Sequence, residues 1–369
     1  MPLAEELISA DTATALVAAI EAAAPASPLT ALRTACTALD PLPLRGRADL
    51  LRDALLTDVP GGFATLAAVV RAAGTGAAPF TGWMIWPVST AVADRAVTDG
   101  TSAAFDDAMV LLADLTGRLT SEFALRTLLR HDPDRALEIV GTWTTSPDAA
   151  VRRLASEGTR PYLPWAIRVP QISARPDATI SILDALYRDT DPAVRRSVAN
   201  HLNDLSRDHA DLVIAAARRW LAAEAPDGST SAVVRHGLRT LVKRGHPVAL
   251  ELLGFPAATV TIEGPVLAEA TVPFGGRLRF SATIGNDGDE PARLAIDYAV
   301  HHRKANGGQT PKVFKLTTRT LDPGERVTIT KEHSLRPITT RRYHPGVHAV
   351  DIRVNGIAST RTDFELLPD

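Results

Sequence analysis

The sequence predicts two folds in series: a mainly α region over residues 1–254, built as a helical-repeat solenoid, and an all-β immunoglobulin-like sandwich over residues 255–369. Three observations carry this. Up to about Leu253 apolar residues recur at three- and four-residue spacing, as in "RADLLRDALL", "FDDAMVLLADLTGRL" and "DLVIAAARRWLAAEA". Beyond "LGFPAA" the period changes to alternation of apolar and polar residues. Within the helical region a single unit recurs at a spacing typical of stacked helix pairs.

The elements follow in order. The start, "MPLAEELISADTATALVAAIEAAA", is acidic and amphipathic. It matches neither a signal peptide nor a membrane span, so the cytoplasm is the expected location and no membrane partner is expected. Ser146-Pro147-Asp148 and Asp191-Pro192 each offer a cap before a proline at the first helical position. "DAAVRRLASEGTR", "DPAVRRSVANHLN" and "SAVVRHGLRTLVK" align on Val151, Val194 and Val234, at steps of 43 and 40 residues. That period fits HEAT-like repeats. Units before about residue 130 are more divergent and have no clear phase. "ATVTIEG", "RLRFSATIGN", "ARLAIDYAVHH", "KVFKLTTRTL", "RVTITKEHSL", "HAVDIRVNG" and "RTDFELL" read as short strands separated by Gly, Pro, Asn and Asp. So many strands in so short a stretch suggest an antiparallel sandwich. "HHRKANGGQTPK" reads as a long basic hairpin loop.

Composition narrows the function. A formal net charge of -2 means that any polyanion must be bound by a local patch. The chain's one cysteine, Cys36, excludes an internal disulfide and a Cys-rich zinc site. No phosphate-binding loop, dinucleotide fingerprint, nucleophile elbow or zincin motif is present, and no metal or cofactor is expected. His301 and His302 lack a carboxylate or cysteine at ligand spacing.

The candidate site lies in "VRRLASEGTRPYLPWAIRVP", residues 151–170, with Arg152, Arg153, Arg160 and Arg168 around one carboxylate, Glu157. Val151, Leu154 and Ala155 form the core side of the helix, and Arg153 and Glu157 lie four apart on the other. Stacking carries Arg153 onto Arg196 and His236, Glu157 onto Asn200 and Thr240, and Arg160 onto Asn203 and Lys243. Basic and hydrogen-bonding columns of this kind hold phosphates. The plainer alternative is a solvated face with an Arg153–Glu157 pair. Glu122, in "LTSEFALRTLL", sits in the first turn of a helix, where the dipole alone would favour it. Asp204 is near a helix end and could cap the segment that follows. Trp165 follows Pro161 and Pro164 on irregular backbone, where it could line a base-sized cavity or simply fill a core. Trp83 and Trp86 read as packing. In the β region ten Lys/Arg between His301 and His344, Arg303, Lys304 and Lys312 among them, suit a polyanion.

"GWMIWPV", "LTSEFALRTLL", "VRRLASEGTRPYLPWA" and "VRRSVANHLNDLS", with a C-terminal immunoglobulin-like domain, resemble the AlkC branch of the HEAT-like-repeat DNA alkylpurine glycosylases. The resemblance covers essentially the whole chain. It implies a bacterial repair enzyme that removes cationic alkylated bases such as 3-methyladenine and 3-methylcytosine. With no lysine beside Glu157 in sequence, a monofunctional glycosylase is expected, acting on double-stranded DNA as a monomer. The positions that match are Glu122, Glu157 and Asp204 as acids, and Arg153 and Trp165 beside them. Chemistry agrees: breaking an N-glycosidic bond builds positive charge on the sugar, which a carboxylate stabilises. A base that is already cationic leaves neutral and needs no strong general acid.

Overall fold

In the computed structural model, which describes residues 4–223, 228–338 and 341–368, helices run to Leu252 and strands begin at Val260. The chain divides into two compact units, Met1–Gly237 and Leu238–Asp369.

The first unit is a stack of helix pairs. The second helices of the later pairs, Ala149–Glu157, Pro192–Leu205 and Gly228–Gly237, pack side by side, as the repeat predicts. The structure also phases the divergent early units: Leu44–Asp58, Ile85–Asp99 and Glu122–His131 form the equivalent row. Their signature is blurred because aromatic and acidic residues replace the Val-x-Arg pattern. Val151, Leu154 and Ala155 are buried as expected. Asp191 caps its helix through Ala193 N–H, with Pro192 at the first helical position. At Ser146-Pro147-Asp148 the cap is Asp148, which accepts from Ala150 N–H at 2.8 Å, so Pro147 lies outside the helix. Arg–Asp forks tie adjacent pairs together: Arg71 to Asp107, Arg135 to Asp106, Arg152 to Asp189 and Arg219 to Asp184. The predicted helix "DLVIAAARRWLAAEA" is Ala210–Ala222, and residues 224–225 of it lie outside the described residues.

The second unit holds strands β1 (Val260–Leu267), β2 (Thr271–Val272), β3 (Arg277–Asn286), β4 (Ala292–Arg303), β5 (Gln309–Leu321), β6 (Arg326–Ser334), β7 (Gly346–Val354), β8 (Ile357–Ala358) and β9 (Thr362–Leu366). They form a sheet ordered β1-β3-β6 and a second ordered β2-β9-β7-β4-β5, with β8 on β7. Alternation does what it predicts: Leu278, Phe280, Ala282 and Ile284 of β3 meet Leu294, Ile296, Tyr298 and Val300 of β4 in one core.

Two expectations change here. The basic stretch "HHRKANGGQTPK" is not a long loop, because β4 and β5 pair through it as far as Arg303 opposite Gln309. The turn that remains, residues 304–308, closes on Lys304 N–H donating to Gly308 O, with Gly307 at φ +81. The compact units also divide at Gly237 rather than near Gly254. The short helices Arg239–Lys243 and Pro247–Leu252 belong with the strands, since the Gly245 backbone lies so close to Gly356 that neither position has room for a Cβ.

Candidate active site

The site grows from the end of one short helix. Ala149–Glu157 stops at Gly158, and Pro161 and Pro164 prevent the following segment from resuming a helix. Gly158 is required there by space: a Cβ would come within 2.5 Å of Leu125 Cδ2. The segment passes from Thr159 to Trp165, which adopts φ +60 and leaves its ring 43% exposed. A bulky residue in the left-handed region is uncommon, and its exposure means that Trp165 does not fill a core.

Glu157 is not on a solvated face, as its pairing with Arg153 had suggested; it is 7% exposed. Arg160 Nη1 donates to Glu157 Oε1 at 2.6 Å, and Arg160 Nε donates to Asp204 Oδ2 at 2.9 Å. Arg153 Nη2 lies 3.1 Å from Glu122 Oε2 and 3.9 Å from Glu157 Oε1. Thr120 Oγ1 donates to Glu122 Oε2 at 2.9 Å. The result is an alternating chain: Glu122, Arg153, Glu157, Arg160, Asp204. Arg207 Nη2 extends it beyond Asp204, 4.0 Å from Asp204 Oδ1, so three carboxylates are interleaved with three guanidiniums. Three helices, Glu122–His131, Ala149–Glu157 and Pro192–Leu205, supply its members together with Arg160 from the irregular segment after the second and Arg207 just past the third, and the stack of pairs brings them together.

Electrostatics set the members apart. Burial pushes the Glu122 carboxyl above the ordinary range, and Glu157 adds to this, against the opposing pull of Arg153. Burial also raises Asp204, opposed by the Arg160 hydrogen bond. Burial alone would lower Arg160, but Glu157 and Asp204 outweigh it and the guanidinium is held above its usual value. Asp204, at 2% exposed, closes the cluster from behind.

Trp165 bounds a cavity of about 300 Å³ with Trp86, Phe123, Arg45, Asp94 and Arg130 among its walls; none of the charged residues of the cluster lines it, and its link to them is through Phe123, next to Glu122 in the chain. Trp86 and Phe123 stack with centroids 3.9 Å apart, and Trp83 meets Trp165 edge-on at 6.2 Å. Trp86 is buried packing, as expected, but Trp165 is an exposed ring at a cavity edge.

Comparisons with known proteins show the family and the fold. Residues 114–240 match a family model described as a DNA alkylation repair enzyme, and residues 261–368 match the C-terminal Ig-like domain model of YhaZ. A Bacillus subtilis protein, the uncharacterised YhaZ, is 33% identical over 265 residues, 72% of this chain and 73% of that one. A solved structure, the Pseudomonas fluorescens alkylpurine DNA glycosylase AlkC bound to DNA containing an abasic-site analogue, overlays with TM-score 0.85 and 32% identity, covering 100% of both chains. The chain belongs to the AlkC family.

The remaining residues singled out in this AlkC-family chain fall in different places. Arg152 commits its fork to Asp189 at 2.6 and 2.9 Å and also donates to the Ser146 and Pro147 carbonyls. Arg196 is exposed and shares a cleft with His236. Asn203 is buried one residue before Asp204. Lys243 lies in the second unit. Arg303, Lys304 and Lys312 line a cavity of about 400 Å³ with Arg341 and Arg342. His301 is buried against Asp351, Nε2 to Oδ2 at 2.6 Å, a partner from β7 that spacing could not reveal. Among the described residues no group of His, Cys, Asp or Glu is arranged to hold a metal ion.

Two supporting residues escaped the sequence. His201, fully buried, places Nδ1 2.9 Å from Ser156 O and Nε2 3.1 Å from Thr179 Oγ1. Burial drives its pKa down to about 3, so the neutral ring steadies the helix end that presents Glu157. The other is Arg126, four residues after Glu122; that spacing was the signal available in the sequence.

Proposed function

We propose that this AlkC-family chain is a monofunctional DNA glycosylase that hydrolyses the N-glycosidic bond of cationic alkylated bases, 3-methyladenine and 3-methylcytosine foremost, in double-stranded DNA. The observation that carries the reading is three buried carboxylates, Glu122, Glu157 and Asp204, interleaved with the guanidiniums of Arg153, Arg160 and Arg207, with Arg160 on the segment that leads to the exposed Trp165. Glu157, held by Arg160, supplies a fixed negative charge where the sugar becomes cationic. Glu122, whose proton affinity is raised by burial, suits the task of taking a proton from the attacking water. Asp204 acts through Arg160, which it holds in place. Arg153 neutralises Glu122 and Glu157 in the free protein and is available to a phosphate when DNA arrives. Arg196 and the basic strands of the second unit add backbone contacts.

Support also comes from what surrounds the carboxylates. The first 242 residues contain no lysine, so the unit that carries the acids has no lysine amine to form a Schiff base. Hydrolysis should then leave an abasic site with both strands intact. His201, the histidine bonded to this region, is fully buried with a depressed pKa and is unsuited to protonate a neutral leaving base; of the two carboxyls raised by burial, Glu122 is assigned as the base and must be ionised to act, and Asp204 is committed to Arg160. The test is a panel of duplex oligonucleotides, each with one lesion, incubated with the protein and a chelator. Release of 3-methyladenine and 3-methylcytosine is expected, with uracil, hypoxanthine and ethenoadenine untouched. Efficient release of uracil, or strand scission without alkali, would overturn the assignment.

A further inference from the structure

We infer that Arg126 is the positioning residue that sets the Glu122 helix against the Glu157–Trp165 segment, and so fixes the catalytic geometry without touching DNA. The inference rests on the glycosylase reading above. Arg126 is completely buried. Its Nε donates to Ile167 O at 2.5 Å, and its Nη1 donates to Gly158 O at 3.2 Å and to Arg160 O at 2.8 Å. These carbonyls lie at the two ends of the irregular segment. Between them stand Pro161, Pro164 and Trp165, and Trp165 is in the left-handed region that a bulky L side chain rarely adopts. Such backbone persists only where its surroundings over-determine it. Arg45, donating to Trp165 O at 3.3 Å, and Arg168, donating to Pro161 O at 3.0 Å, hold the same segment from outside.

Arg126 shares the Glu122–His131 helix with Glu122, one turn away. Gly158 follows Glu157 directly, and Arg160 holds both Glu157 and Asp204. One guanidinium therefore couples the element bearing Glu122 to the segment that organises the other two acids. A purely structural filler would be cheaper. Arg126 makes no ion pair within 4.0 Å among the described residues, and its Nη2 has no hydrogen-bond partner among them. Burial, with Arg168 and Arg160 nearby, lowers its pKa to about 10, which still leaves it cationic at neutral pH. Lysine cannot reproduce the arrangement, because an ammonium lacks the planar fork that spans separated carbonyls.

The experiment uses the full chain with Arg126→Lys, Arg126→Met, Trp165→Ala and the Arg126→Lys/Trp165→Ala double variant. Single-turnover release of 3-methyladenine from a duplex is measured at saturating protein, with affinity for an abasic-analogue duplex and thermal melting in parallel. Arg126→Lys should slow release by about tenfold or more while affinity changes by less than about threefold, the split expected of lost positioning. In the double variant the two losses should be clearly less than multiplicative, because Arg126 acts through the segment that bears Trp165. Folded Arg126→Lys and Arg126→Met proteins that work within about twofold of wild type, or strictly multiplicative losses, overturn the inference. Failure of both variants to fold overturns it too, since Arg126 is then a folding residue. A wild-type protein that releases no base instead sinks the glycosylase reading itself, and the inference with it.

Discussion

Glu157→Gln tests the proposed chemistry most directly, because it keeps the shape of the side chain and removes its charge. Glu157 is buried and receives Arg160 Nη1 at 2.6 Å, so its carboxylate works where water screens poorly. Removing one preorganised electrostatic partner from such a site costs about 3 kcal/mol of transition-state stabilisation, on the order of a hundredfold in rate. The amide oxygen can still accept from Arg160, and Arg160 keeps Asp204 at 2.9 Å. The folding cost should therefore be about 1–3 kcal/mol, enough to move the melting midpoint by several degrees but not to unfold the chain at 25 °C. Affinity for DNA should hold or improve, since one negative charge has left the site proposed to receive the polyanion. The assay is single-turnover release of 3-methyladenine with protein in excess, alongside equilibrium binding to an abasic-analogue duplex. A rate within about threefold of wild type, with the variant folded, would refute the reasoning.

Other predictions follow from the same structure. Burial raises Glu122, so wild-type excision should have an acid limb above the ordinary carboxylate range, and Glu122→Gln should abolish that limb while slowing excision more mildly than Glu157→Gln. A carboxyl whose pKa is raised by folding loses stability as pH rises through the window between its unfolded and folded values. Glu122→Gln should thus melt at or above the wild-type temperature near neutral pH, with the advantage shrinking on acidification; calorimetry across pH decides. His302 and His333, pushed down by burial to about 3 and 4, are neutral when folded but titrate near 6.5 when unfolded. They should cost the second unit up to about 1.4 kcal/mol each per pH unit as pH falls from 6.5 toward those values, and a flat midpoint across that range would contradict this. Converting Arg303, Lys304 and Lys312 together to Gln should weaken binding to all duplex sequences alike and flatten the salt dependence by about 0.9 for each phosphate no longer neutralised, which titrations at several salt concentrations would read. An unchanged slope would leave that basic run without a role in binding.

The sequence by itself determined which elements form. Period and caps located the helix pairs from Val151 onward, and alternation located the strands, because both signals are local properties of a half-buried surface. It also singled out the candidate stretch, since arginines crowded around Glu157, with prolines breaking the helix beyond it, are legible as residues in a row. Tertiary structure alone decided what those residues are to one another. Glu157 looked like one half of an exposed pair with Arg153, but packing buries it against Arg160 and, through Arg160, links it to Asp204, 47 residues along the chain. Glu122 gained its raised pKa, and Arg126 its three carbonyls, from segments that sequence spacing cannot bring together. The same holds for His301 and Asp351, which meet only because β4 and β7 are neighbours in one sheet. Helix and strand periods report the backbone within a few residues, whereas burial, ion pairing and proton affinity depend on which distant side chains share a low-dielectric space, and only the fold specifies that.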